Sequence, residues 1–200
     1  MISWLLKIPK SIIYKMHLLS LRNRLYHLGE STQLPLSTKI EFPQNIYIGD
    51  NVSLGRMSWL AANPLTGLSC SLKIGKGSYI GNFAHIYATQ KIEIGNDVLM
   101  ADKVYISDNL HSFDKVNIAI INQPIKQLKE VYIGDGSWIG ENVCIIGASV
   151  GKQSVIGANS VVSKDIPDFC VAVGAPAKII KRYSFEKQAW LRTDAQGEFL

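Results

Sequence analysis

The sequence is short of charge, cysteine and histidine. Only 18% of its 200 residues are charged, against about a quarter in an average soluble domain. Yet 47% are apolar, which excludes a disordered chain and suits one domain with an appendage. Cys70, Cys144 and Cys170 make an odd set without CxxC spacing, so neither a disulfide framework nor a zinc knuckle is expected. Reduced, cytoplasmic thiols are the default. Residues 1–29 contain no acid but hold Lys7, Lys10, Lys15, Arg22 and Arg24. The formal net charge is +5, so the remainder is neutral. A neutral body offers no broad field for phosphates, which excludes a nucleic-acid-binding domain. The same segment lacks the run of about 18 uncharged apolar residues that a spanning helix needs. It also lacks a small-residue cleavage site, so it does not read as a secretory signal.

What the sequence has is a repeat. Aliphatic–Gly pairs recur at Ile48-Gly49, Leu54-Gly55, Ile74-Gly75, Ile80-Gly81, Ile94-Gly95, Ile133-Gly134, Ile139-Gly140, Val150-Gly151 and Ile156-Gly157. Neighbouring pairs lie six residues apart. Four positions after the aliphatic stands a small or branched residue, such as Val52, Ser78, Val98 or Ser154. A period of six fits neither a helix nor a simple amphipathic strand. It fits short strands joined by tight turns, with one large side chain inward per hexad. The glycine serves a sharp bend or a close approach of backbones. Three hexads close a triangular coil of about 18 residues.

Five coils follow from this register: Ile48, Leu54, Leu60; Ile74, Ile80, Ile86; Ile94, Met100, Ile106; Ile133, Ile139, Ile145; and Val150, Ile156, Val162. Residues 38–47 suggest a partial starting coil, so the domain boundaries are 1–37, 38–182 and 183–200. Two excursions leave the coils, at 61–73 and 107–130. A long loop in a tight solenoid is functional or disordered.

This pattern, with the ending SVVSKDIPDFCVAVGAPAKIIKR at 160–182, resembles the left-handed β-helix hexapeptide-repeat acyltransferases. The stretch ISDNLHSFD at 106–114 looks like the branch that O-acetylates surface polysaccharides and lipopolysaccharide. The fold class implied is all-β, a left-handed parallel β-helix. The resemblance also implies a homotrimer, acetyl-CoA as co-substrate between adjacent prisms, and one histidine as general base. Acetyl transfer to a glycan hydroxyl by direct attack, without an acyl-enzyme, is the expected reaction. Another small acceptor (an antibiotic, serine or an amino sugar) and a non-enzymatic scaffold are the alternatives.

His111 stands at the coil-to-loop junction where the family has its base, and imidazole titrates in the range that alcohol deprotonation needs. Asp108 is a candidate to orient its ring. His85 is a second candidate for catalysis or acceptor binding. In one chain it is expected on a different prism face from His111, meeting it only across a subunit interface. Asn82, Asn109 and Trp138 are candidate acceptor contacts. Ala158, Ser163, Lys164, Lys178 and Lys181 match the family's cofactor-binding positions. No metal is expected, since a zinc site of this fold needs three histidines and the coils and loops have only His85 and His111.

The basic segment interleaves cations with Ile12, Ile13, Met16, Leu19 and Leu25, which predicts a helix starting near Pro9 and ending at Gly29. It either caps the open end of the solenoid or lies at an anionic membrane surface, on the inner face of the cytoplasmic membrane. Residues 183–200 are expected as a short docked helix or a frayed end.

Overall fold

A computed structural model describes residues 9–67 and 69–200. Three sheets, parallel except at the C-terminal end of the second, wrap one column of aliphatic side chains. The first face has five strands: His27–Leu28, Ile46–Ile48, Ser71–Ile74, Lys91–Ile94 and Val131–Ile133. The second is an 8-stranded sheet that begins at Ser53–Leu54, continues through Tyr79–Ile80, Leu99–Met100, Trp138–Ile139 and Val155–Ile156, and ends in the C-terminal strands. The third has six: Lys39–Glu41, Trp59–Ala62, His85–Ala88, Tyr105–Ser107, Cys144–Ile146 and Val161–Val162.

Every inward residue predicted from the hexads is buried, from Ile48 through Ile106 to Val162. Pairing is in register from coil to coil, as in Leu60↔Ile86 and Ile106↔Ile145. The glycine question is settled by geometry. At Gly81 a Cβ would lie 2.4 Å from the backbone carbon of Ala101, so the hexad glycine admits the next coil. The left-handed turn falls two residues later, at Asn51, Met57, Phe83, Lys103 and Asn142, among others. One residue further on, Ser78 and Ser154 turn inward and bridge coils. Ser78 Oγ donates to the Gly95 carbonyl at 2.9 Å and accepts from Val98 N–H at 3.1 Å.

Three expectations need correction. The solenoid starts earlier than residue 38: Leu28 pairs with Ile48 and Ile40 with Leu60, and Leu34 between them is fully buried. These three residues form a complete first coil at spacing six. The helix therefore ends sooner. It spans Lys10–Arg22, with Pro9 at its N-cap, and Gly29 belongs to a hexad. The tail is neither helix nor frayed end. Lys178–Ser184 folds back antiparallel on Cys170–Val173, and Ala189–Arg192 pairs with Lys178–Ser184. Tyr183 lies opposite Trp190 across the hairpin.

The long excursion is ordered. Asn109–His111 pairs antiparallel with Ile125–Gln127, so the loop returns on itself as a hairpin.

Candidate functional site

The third face carries an outward column at the position before each inward aliphatic: Lys39, Trp59, His85, Tyr105, Cys144 and Val161. Strand alternation turns these side chains away from the core. Trp59 and His85 stack with centroids 4.2 Å apart, and Tyr87 and Tyr105 meet the imidazole edge-on at 6.1 and 5.2 Å. Lys39 lies over the Trp59 ring at 3.7 Å and bonds Glu41 at 2.8 Å. Burial, then the charge of Lys39, hold the imidazole of His85 below its usual 6.5, with Glu41 opposing. Its Nε2 is buried and has no hydrogen-bond partner among the described residues.

The two excursions complete a cavity above this column. Trp59, Leu65, His85, Tyr87, Tyr105, Asn109, His111 and Ile125 are among its lining residues, and its volume is about 490 Å³. His85 and His111 therefore line the same cavity within one chain. The expectation that they occupy different faces is wrong. It followed the coil register alone, whereas the hairpin carrying His111 folds back over the third face.

Asp108 does not orient His111. It is fully buried, and both carboxylate oxygens are engaged elsewhere. Oδ1 accepts from Thr89 N–H at 2.8 Å, Thr89 Oγ1 at 2.9 Å and Asn109 Nδ2 at 3.0 Å. Oδ2 accepts from the N–H groups of Gln90 and Lys91, both at 2.8 Å. The carboxylate thus fixes the corner 89–91 and the root of the hairpin. A buried acid surrounded by N–H donors is a turn anchor.

Gln127 ties the hairpin to the same corner. Its Nε2 donates to the Asp108 carbonyl at 2.7 Å, and its Oε1 accepts from Thr66 Oγ1 of the shorter excursion and lies 2.8 Å from Thr89 Oγ1, whose single proton is shared with Asp108.

The remaining expected residues scatter. Asn109 lines the cavity, although its amide also donates to Asp108. Asn82 is a corner residue. Its Nδ2 bonds both oxygens of Asp102 and its Oδ1 accepts from Arg56 N–H at 2.9 Å, which corrects its assignment to the acceptor. Trp138 is 51% exposed, on the second face, outside the lining of the cavity. Ala158 and Ser163 lie on the two sides of the last third-face strand, Val161–Val162, with Lys164 following. The Ala177 N–H donates to Val161 O, which brings Lys178 beside this strand. Lys181 sits opposite Val171 on the second face. All five are exposed, as contacts to a large phosphorylated ligand need to be.

Residues 147–151 have Gly-x-Ser-x-Gly spacing, but not between a strand and a helix as a nucleophile elbow requires. Ser149 Oγ instead accepts from Tyr132 N–H at 3.0 Å. Tyr87 and Tyr105 are site residues beyond those expected from sequence, and the signal for Tyr105 is that it shares the hexad position of Trp59 and His85.

Residues 130–164 match the family model described as hexapeptide repeat of succinyl-transferase. The chain is 40% identical over 118 residues to a putative lipopolysaccharide biosynthesis O-acetyl transferase of Escherichia coli, covering 56% of this chain and 60% of that one. It is 34% identical to a probable acetyltransferase of Mycobacterium tuberculosis, over 84% of this chain and 54% of that protein. The chain thus spans somewhat more than half the length of these relatives. A hexapeptide-repeat acetyltransferase of Vibrio cholerae has a similar structure, with TM-score 0.61, 25% identity and coverage of 86% and 81%. An N-acyltransferase of Bacillus cereus crystallised with dTDP and coenzyme A shares the fold at TM-score 0.73 and 20% identity, over 87% and 91% of the two chains.

Proposed function

The chain is a member of the hexapeptide-repeat family to which these acetyltransferases belong, and on that premise we propose that it moves an acetyl group from acetyl-CoA to a hydroxyl of a bacterial glycan or its precursor. One observation carries the reading: two histidines and three aromatic rings line one cavity of about 490 Å³. The likeness to the lipopolysaccharide O-acetyl transferase favours a sugar hydroxyl over other acceptors.

Acetyl-CoA supplies an activated thioester carbonyl. His111 is the general base. An imidazole nitrogen takes the proton from the acceptor hydroxyl as its oxygen attacks, and returns it to the departing thiolate. No acyl-enzyme intervenes, in keeping with the use of Ser149 as a turn acceptor. His85, held neutral by burial and stacked on Trp59, positions the acceptor by ring contact in the cavity wall. The exposed aromatic edges of such a cavity suit a sugar ring. Ser163, Lys164 and Lys178 would hold the phosphates and pantetheine along the end of the third face, with Ala158 and Lys181 at its margins.

The coil sense is left-handed and the assembly a homotrimer. The support is an outward apolar stripe on the second face, where Tyr79, Leu99 and Trp138 are 44%, 50% and 51% exposed. They are neighbours in register, whereas the first face carries the Lys73–Glu93 ion pair. Trp138 would then pack on, or complete, a neighbour's site. The acetyl donor places the enzyme in the cytoplasm.

The test is thiol release from acetyl-CoA with a panel of sugars, nucleotide sugars and lipid-linked glycans. Transfer is expected with a glycan acceptor and is lost in His111→Ala. Full activity of that variant would reject the mechanism. Preference for an antibiotic or serine would move the chain to another acceptor class, and absence of acetyl-CoA binding would leave a scaffold.

A further inference from the structure

The N-terminal helix has two apolar faces, and among the described residues only one is packed. Toward the solenoid, Leu21 is 5% exposed and Leu18 packs on the core. The Tyr14 hydroxyl accepts from Leu34 N–H at 3.1 Å, which fixes the helix to the first coil. On the opposite side Ile12, Met16 and Leu19 are 46%, 62% and 62% exposed. Their spacing of i, i+4 and i+7 makes one stripe, with Ile13 beside it at 39%.

Cations border this stripe. Among the described residues, Lys10, Lys15, Arg22 and Arg24 are in no ion pair. Residues 1–29 contain no acid to neutralise them. A hollow of about 280 Å³ lies among Lys15, Leu18, Leu19 and Arg22, so two cations and two leucines converge. A helix that only capped the solenoid would show polar side chains outward.

We propose that the outer face of the helix Lys10–Arg22 seats the protein on an anionic lipid surface, with Ile12, Met16 and Leu19 among the acyl chains and Lys15 and Arg22 at the headgroups. With 13 residues the helix is about 20 Å long. That is too short to span a hydrocarbon core of about 30 Å, so it lies in the interface. No described helix is long and apolar enough to cross a membrane. Capping and membrane contact are therefore compatible, because they use opposite sides of one helix. The attachment stands independently of the acetyl transfer proposed above.

The test is co-sedimentation of the full chain with vesicles of phosphatidylcholine alone or with 30% phosphatidylglycerol. At about 0.1 M salt, binding to the anionic vesicles should be at least about tenfold stronger, and it should fall at 0.5 M salt. The I12Q/M16Q/L19Q variant should lose binding while keeping its melting temperature and oligomeric state. The K15E/R22E variant should lose the preference for anionic lipid. Pelleting unchanged in both variants would overturn the proposal, as would no binding by the wild-type chain. A smaller assembly for I12Q/M16Q/L19Q by light scattering would also overturn it, by showing that a second copy covers the stripe.

Discussion

Trp59 and His85 stack face to face, with ring planes 7° from parallel and centroids 4.2 Å apart, one coil above the other. The stack places a half-buried imidazole where Lys39 also disfavours its protonation. Its folded pKa therefore lies below the unfolded value near 6.5. The unfolded chain binds more protons as pH falls, so this group's contribution is complete above 6.5 and is lost as pH falls through the lower, folded value. Melting curves between pH 8 and 5 should show a drop below pH 6.5 that His85→Phe reduces. An NMR titration of His85 with a midpoint above 6.5 would contradict this.

His111 is exposed, in a hairpin strand outside the core. His111→Ala should lower kcat by about 10²–10⁴-fold, the usual worth of a general base. Its melting temperature should stay within about 1 °C of wild type, since surface truncations are nearly neutral. A parallel loss of stability and activity would indicate a structural role.

Asp108 anchors five donors from one buried carboxylate. Asp108→Asn keeps the shape but turns an amide NH₂ toward N–H groups. A loss of about 2–4 kcal/mol is expected, from one unsatisfied donor and weakened charge-assisted bonds. Urea unfolding measures it. Activity per folded molecule should also fall, because the corner holds the root of the His111 hairpin.

Gly81→Ala should cost about 1–3 kcal/mol, since the new methyl meets the backbone of Ala101 rather than a flexible side chain. The same change at Gly67, where nothing lies within 4 Å, should be nearly neutral in the same unfolding assay.

Cys70 is buried and its Sγ donates to the Ala88 carbonyl at 3.4 Å. Burial, then the Asp108 charge, pushes its thiol up to about 12. Iodoacetamide at pH 8 should leave Cys70 unmodified in the native protein and modify it in denaturant, as mass spectrometry of the peptide would show.

The hexads made most of the fold legible. One large aliphatic every six residues admits few other solutions, and the inward residues from Ile48 to Val162 are all buried. Leu28, Leu34 and Ile40 keep the same spacing, but only Leu28 is followed by glycine, and Gly29 reads equally well as a helix end. The aliphatic alone was the better marker, because burial of that side chain is what each hexad requires. The C-terminal hairpin depends on pairing between Lys178–Ser184 and Ala189–Arg192, a long-range choice that local pattern does not record.

For the site, sequence determined the elements and tertiary structure decided their company. The place of His111 at the loop root is legible in the sequence. That it shares a cavity with His85 depends on the loop returning as a hairpin over the third face. Asp108, adjacent in sequence to the expected site, turns inward to serve backbone donors, because a carboxylate at a buried corner must satisfy its neighbours first. The basic excess of residues 1–29 was plain from composition. Which helix face packs, and which is exposed among the described residues, depends on the tertiary contact of Leu18 and Leu21 with the first coil, which leaves Ile12, Met16 and Leu19 outside.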